Sequence, residues 1–219
     1  NGITVFDGLR FKHIKKDDGL SGNVVVSLFL DSKKSIWAGV AGAEGGLNKI
    51  DFRNDSLKIT SFLLKSDVEK NAVFSINEDS LNTIWAGTFG GGLYYSDIEN
   101  DSLKFFPFSK SAFLSNYILT SETGQNGQLL FGTYDKGLFQ VEPNREPEKS
   151  TVSVIPAIFE SNIKRIWDIK AEKDALFLAS NEYGLIRFSK NKIQRIDKSS
   201  GLPGNQILKI FRDNDENLW

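Results

Sequence analysis

A pattern of about 46 residues recurs along this chain, and it constrains the fold more than any other feature. Its clearest marker is a short apolar run with a large aromatic, followed by small residues. It reads Ile36-Trp37-Ala38-Gly39, Ile84-Trp85-Ala86-Gly87-Thr88, Leu130-Phe131-Gly132-Thr133 and Phe177-Leu178-Ala179-Ser180, and a last copy begins at Leu218-Trp219. Taken as aligned, the aromatics at 37, 85, 131, 177 and 219 lie 48, 46, 46 and 42 residues apart by subtraction. A second marker follows each of the first four: Gly46-Leu47, Gly92-Leu93, Gly137-Leu138 and Gly184-Leu185, with Gly2-Ile3 as one more copy. A third precedes the aromatic as Asn23-x-Val25-x-x-Leu28-x-x-Asp31, Asn71-x-Val73-x-x-Ile76-x-x-Asp79 and Asn205-x-Ile207-x-x-Ile210-x-x-Asp213, with weaker forms at 116–121 and 166–172. Three markers in constant order and phase identify a repeat architecture.

Each repeat divides into four strand-length apolar runs bounded by turn residues. In the second they are 73–76, 84–88, 93–96 and 103–108, punctuated by Asp79-Ser80-Leu81-Asn82, Gly90-Gly91-Gly92 and Asn100-Asp101. Such spacing predicts antiparallel hairpins, and no ten-residue stretch within a repeat carries helical periodicity. Residues 24–30 are apolar on both faces, so that strand should be covered on both sides, as the innermost strand of a propeller blade is. Gly39, Gly87 and Gly132 fit places where another backbone or ring approaches closely. Gly46, Gly92, Gly137 and Gly184 fit tight turns with positive φ. Gly90-Gly91-Gly92 is no phosphate loop, because neither a helix nor a Lys-Ser/Thr pair follows.

The fold class expected is therefore all-β: a β-propeller of four-stranded antiparallel blades, about five blade-equivalents in all. The expected boundaries are outer strands of one blade at 1–16, full blades at 20–64, 68–109, 113–158 and 162–198, and inner strands of another at 205–219. Roughly twenty strands fall short of the roughly 28 of a seven-bladed ring. An incomplete arc, with its edges open to a second chain, is one expectation; five-blade closure through the terminal half-blades is the other.

Composition removes several function classes. Lys plus Arg (27) nearly equals Asp plus Glu (28), which lacks the cationic excess of a nucleic-acid binder. Without Cys and with a single His, neither a thiolate zinc site, a cysteine nucleophile nor a recognisable triad can be assembled. No apolar run approaches the ~20 residues that cross a bilayer, so no membrane contact is expected of this segment. The chain starts at Asn1 and contains no Met, so any leader or anchor is expected to lie outside it. Asp213-Asn214-Asp215-Glu216-Asn217 resembles a calcium loop but lacks its glycine. It aligns with the first hairpin turn of the other repeats, so no metal and no cofactor are expected.

The markers Asn-x-Val-x-x-Ile-x-x-Asp, Ile-Trp-Ala-Gly-Thr and Gly-Gly-Leu together resemble the two-component regulator propeller repeat, carried here by Trp37, Trp85, Gly87, Thr88, Gly91, Gly92 and Leu93. Phe131, Phe177 and Ala179 depart from it. The resemblance implies a portion of a seven-bladed propeller in the periplasmic sensor region of a hybrid histidine kinase or related regulator. It also implies oligosaccharides as ligands, with the remaining blades and signalling domains of the parent chain as partners.

In an antiparallel blade, the loop leading into the first strand and the loop between the second and third share one face. The expected ligand-binding residues on that face are Glu44, Phe89, Tyr134, Asp135, Lys136, Asn181, Glu182 and Tyr183, beside leading loops around Asn23, Asn71, Asn116 and Asn205. Aromatic rings beside amides and charges suit a sugar, and loops on a rigid scaffold are free to vary for recognition. The same Asn residues also suit turns that bond their own backbone. No catalytic residues are expected, because the inner strands offer Val, Ile, Leu, Phe, Ser and Thr rather than clustered ionisable groups. The alternatives are a protein-binding or dimerising scaffold and, less favoured, a propeller lyase or hydrolase.

Overall fold

The computed structural model describes residues 2–42, 45–53, 56–64, 72–109 and 115–219. The chain divides into two compact units, Asn1–Glu78 with Asn82–Phe108, and Asp79–Leu81 with Ser109–Trp219.

In the first unit, β1 (Ile3–Phe6) and β2 (Phe11–Ile14) form a two-stranded sheet. Two four-stranded antiparallel blades follow: β3 (Val24–Leu30), β4 (Ile36–Ala41), β5 (Gly46–Arg53) and β6 (Ser56–Phe62), then β7 (Ala72–Glu78), β8 (Ile84–Phe89), β9 (Leu93–Glu99) and β10 (Ser102–Phe108). The second unit holds the blades β11 (Ile118–Thr123), β12 (Leu129–Thr133), β13 (Leu138–Glu142), β14 (Thr151–Ser153) and β15 (Ile166–Glu172), β16 (Ala175–Ser180), β17 (Leu185–Ser189), β18 (Lys192–Ile196). A short helix, α1 (Pro156–Glu160), joins its two blades. The fold is all-β and built of propeller-type blades, each a meander in which every strand pairs with its sequence neighbour.

In the first unit a repeated residue joins one blade to the next. Trp37 is 1% exposed and packs with Phe62 of its own blade and Phe105 of the next, with ring centroids 5.8 Å away in both cases. Its indole Nε1–H donates to the Asp31 carboxylate at 2.8 Å, and Asp31 also accepts the Ser35 N–H at 2.7 Å, closing the first hairpin turn. At the C-terminal end, Trp219 donates to Asp213 at 2.7 Å, and Asp213 accepts the N–H groups of Asp215 and Asn217. The indole donor, then the Asn217 amide, hold the Asp213 carboxyl below its ordinary pKa. The segment that resembled a calcium loop is thus a hairpin turn, and no metal-holding group of His, Cys, Asp or Glu occurs among the described residues.

Register corrects the alignment of the third repeat. Gly39, Gly87, Gly132 and Ala179 are equivalent, because they pair with Leu47, Leu93, Leu138 and Leu185. Leu130, not Phe131, therefore stands where Trp37 and Trp85 stand, and Phe131 occupies the place of Ala38. A slip of one residue puts a side chain on the opposite face, and Phe131 there stacks on Phe139 at 5.2 Å. The Asp partner is lost along with the indole: Gly124 closes that hairpin by donating to Gln128 O at 2.8 Å, as Asp31 does to Ser35 O at 3.0 Å. In the fourth repeat Phe177 does hold the Trp position, and the hairpin before it shortens to a two-residue turn between Glu172 and Ala175.

Each inner strand also carries a bulge at one place, after Val25, Val73, Ile118 and Ile166, followed by Ser27, Ser75, Thr120 and Asp168. A bulge sharpens the local twist and re-aims the next side chain. Ser27 thereby donates to Val73 O of the next blade at 2.7 Å. The expectation that β3 is covered on both faces does not hold. Val24, Val26, Leu28 and Leu30 are 38–58% exposed, because the preceding sheet, β1–β2, has two strands rather than four. The equivalent β7 is almost wholly buried.

Candidate functional site

The loop between the second and third strands is built the same way in three blades. Thr88, Thr133 and Ser180 stand at or one residue before the end of the second strand, and each hydroxyl donates to a glycine carbonyl four residues on, Gly92, Gly137 or Gly184, at 2.9 Å. The same oxygen accepts the N–H three residues on, from Gly91, Lys136 or Tyr183, also at 2.9 Å. These hydroxyls are buried, so each loop is a three-residue bridge clamped at both ends. The closing glycines have φ of 77°, 75° and 73°, a conformation that costs a non-Gly residue energy. Gly46 is not among the positive-φ glycines, because the loop before it is longer.

The loop leading into the next blade is clamped from the other side. Gly137 N–H donates to Lys164 O at 2.7 Å and Gly184 N–H to Asn205 O at 2.9 Å, as Gly2 does to Asn23 O at 2.7 Å. The marker Asn side chains work locally: Asn23 Oδ1 accepts the Lys16 N–H and Asn205 Oδ1 the Lys198 N–H, each at 2.9 Å. At Asn23 and Asn205 the side chain thus shapes the connection into the blade.

In the second unit these clamps bring three loops to one cleft of about 500 Å³, lined by Tyr134, Asp135, Asn162, Lys164, Arg165, Glu182 and Tyr183. A second, more apolar cleft of about 530 Å³ shares Asp135, Asn162 and Lys164 and continues past Phe159 of α1. Both volumes lie in the range of small-molecule sites. Tyr134 is anchored by its N–H to Tyr117 O at 3.0 Å, and its ring lies 6.4 Å from that of Tyr117. The Arg165 guanidinium carbon sits 4.0 Å from the Tyr134 ring centroid, and that of Arg195 4.4 Å from the Tyr183 centroid. Cation–π contact of this kind fixes both ring and cation. Asp135 accepts a hydrogen bond from Ser115 Oγ.

The structure therefore gathers Tyr134, Asp135, Glu182 and Tyr183 around one cleft, with Lys136 in the adjoining one. Asn181 is turned to another task, since its Oδ1 accepts from Trp167 Nε1 at 3.3 Å and Gln206 Nε2 at 3.0 Å. Phe89 lies in the first unit, its ring 5.7 Å from Phe74. Glu44 and Asn71 lie outside the described residues. Sequence reasoning missed Asn162, Lys164 and Arg165. The signal was present: Lys164 stands in the marker-Asn position of the fourth repeat, two residues before Ile166, as Asn71 stands before Val73.

The inner strands differ from expectation. β15 carries Asp168, Lys170 and Glu172, and β11 carries Glu122. They are paired: Lys170 with Glu122 at 3.1 Å, Lys209 with Asp168 at 2.9 Å, and Arg212 with Glu172 and Glu216. Asp168 also accepts the Ile210 N–H at 2.8 Å and the Thr120 hydroxyl at 3.2 Å. This network ties the C-terminal segment around Lys209–Arg212 to β11 and β15, while Glu172 Oε1 is buried without a hydrogen-bond partner among the described residues. His13, the lone histidine, pairs across the two-stranded sheet with Thr4, Nδ1 to Oγ1 3.0 Å.

No protein-family model matches the chain, and no curated protein is significantly similar to it in sequence. Solved structures are similar in fold. The extracellular domain named for the hybrid two-component system BT3049 of B. thetaiotaomicron superposes with a TM-score of 0.56 at 19% identity. That of BT4673 from the same organism superposes at 0.60 and 20% identity. All of this chain is covered in both cases, and it spans 36% of the length of each. A Bacteroides caccae protein of unknown function matches 84% of the chain, and 70% of its own length, at 0.52 and 13% identity. Over its whole length, then, the chain shares the blade fold of these extracellular domains.

Proposed function

We propose that this chain is part of the extracytoplasmic ligand-sensing region of a two-component signalling protein. Its ligand is an oligosaccharide, received in the cleft of the second unit and reported to a histidine kinase elsewhere in the parent protein. The observation that carries this reading is the convergence of two tyrosines, two carboxylates and two cations on loops clamped at both ends. A sugar presents an apolar ring face for Tyr134 and Tyr183 and hydroxyls for Asp135, Glu182 and Asn162. The fold likeness to extracellular domains of two-component systems supports the setting. It also favours a non-catalytic role.

Calorimetric titration of the purified protein against a panel of plant and host oligosaccharides tests the proposal. One class should bind saturably, and Tyr134→Ala or Tyr183→Ala should weaken it by roughly tenfold or more, since stacked aromatic contacts contribute about 1–2 kcal/mol. The exposed apolar row of β3 favours a second reading, a scaffold whose blade faces bind protein or a second copy of the chain. Silence across the panel, with concentration-dependent dimerisation in light scattering, would replace the sensor reading with that one.

A further inference from the structure

We infer that the cleft of the second unit selects a saccharide bearing an acidic group, a carboxylate or a sulfate; this rests on the saccharide reading above and narrows it. Arg165 carries the argument. Its Nε is buried and has no hydrogen-bond partner among the described residues, although the side chain lines the cleft. A buried donor without a partner costs about 1–3 kcal/mol, and more when charged, so a native site that keeps one is shaped for an acceptor.

The guanidinium is also held in place. Its central carbon lies 4.0 Å from the Tyr134 ring centroid, and this cation–π contact fixes the group beside the cleft. A guanidinium so fixed offers an oxyanion its fork of N–H donors. Lys164 lies beside it on the same loop, exposed, with its backbone pinned by the Gly137 N–H. The carboxylates of the cleft do not neutralise this pair by contact. Asp135 is taken up by Ser115, and no ion pair joins Glu182 to Arg165 or Lys164 among the described residues. One wall thus accepts from hydroxyls while the other donates to an anion, as an acidic sugar requires and a neutral one does not.

The test is a glycan array carrying neutral, uronic-acid and sulfated oligosaccharides in parallel. It is followed by titration of the best-bound glycan, and of inorganic sulfate, with the native protein, Arg165→Gln and Arg165→Lys. Bound glycans should all carry an acidic group, with affinity falling as salt rises. Arg165→Gln should lose about ten- to hundredfold and Arg165→Lys less, with thermal melts confirming that both variants fold. Neutral glycans bound with equal affinity by native protein and Arg165→Gln would overturn the acidic preference and leave the saccharide reading standing. Sulfate binding lost in Arg165→Gln, with no glycan bound, would keep the anion site and overturn the saccharide reading. No binding of glycan or sulfate would overturn both.

Discussion

Gly39→Val should leave the first unit unable to fold, with a loss of about 4 kcal/mol or more. A Cβ at this position would lie 2.1 Å from the carbonyl oxygen of Val73 and 2.2 Å from Ser27 Oγ. Neither can retreat cheaply. Val73 O belongs to the inner strand of the next blade and accepts the Ser27 hydroxyl, so separating the strands breaks that bond and opens the core around Trp37, Leu47, Val73 and Ile76. Urea melts followed by tryptophan fluorescence would read the effect, and Gly204→Val, where an added Cβ meets nothing within 4 Å and φ is not positive, is the control. A Gly39→Val protein within about 1 kcal/mol of the native one would show that the blades do not meet through this glycine.

Asp168→Ala should cost about 3 kcal/mol by a different route. The carboxylate is 5% exposed and receives the Ile210 N–H, the Thr120 hydroxyl and the Lys209 ammonium. Truncation leaves the buried Ile210 N–H and Thr120 Oγ1 without their acceptor, while Lys209, 78% exposed, returns to water at little cost. The loss should therefore appear first as faster hydrogen exchange in 207–212 rather than as disruption of β3–β10. Lys209→Ala, which removes only the exposed partner, should cost under about 1 kcal/mol. Equal losses for the two variants would mean that the ion pair, and not the buried hydrogen bonds, holds the C-terminal segment.

The blade architecture was legible because its determinants are periodic. An indole bonded to a carboxylate six residues earlier occurs at Trp37 and Trp219, a small residue stands at 39, 87, 132 and 179, and a glycine opens the third strand in each blade, so the phase survives where single markers are replaced. The third repeat was misaligned by one residue because Phe131 is aromatic like Trp37 while facing the other way. Only strand register, which side-chain identity does not encode there, separates them. The bulge in every inner strand escaped notice for a related reason. It inserts a residue without interrupting the apolar run, so nothing in the pattern sets Ser27, Thr120 and Asp168 apart as inter-blade latches.

Half of the candidate cleft could be read in advance. Tyr134, Asp135, Glu182 and Tyr183 lie on loops whose face follows from counting strands. Arg165 and Lys164 lie on the connection into β15, where the marker Asn is replaced and the repeat is faintest. What makes Arg165 significant, a buried Nε without an acceptor against a tyrosine ring, is a property of packing that no local pattern announces. The charges of β11 and β15 were overlooked because their neutrality depends on partners 40 to 48 residues away.

Hydrogen–deuterium exchange of the protein with and without a saturating oligosaccharide mixture tests the central claim most directly. Protection confined to 134–136, 162–165 and 181–183 is the predicted result, since these segments form one cleft on clamped loops. Protection elsewhere, for instance along β3 or the 86–92 loop alone, would contradict it and move recognition to another face of the molecule.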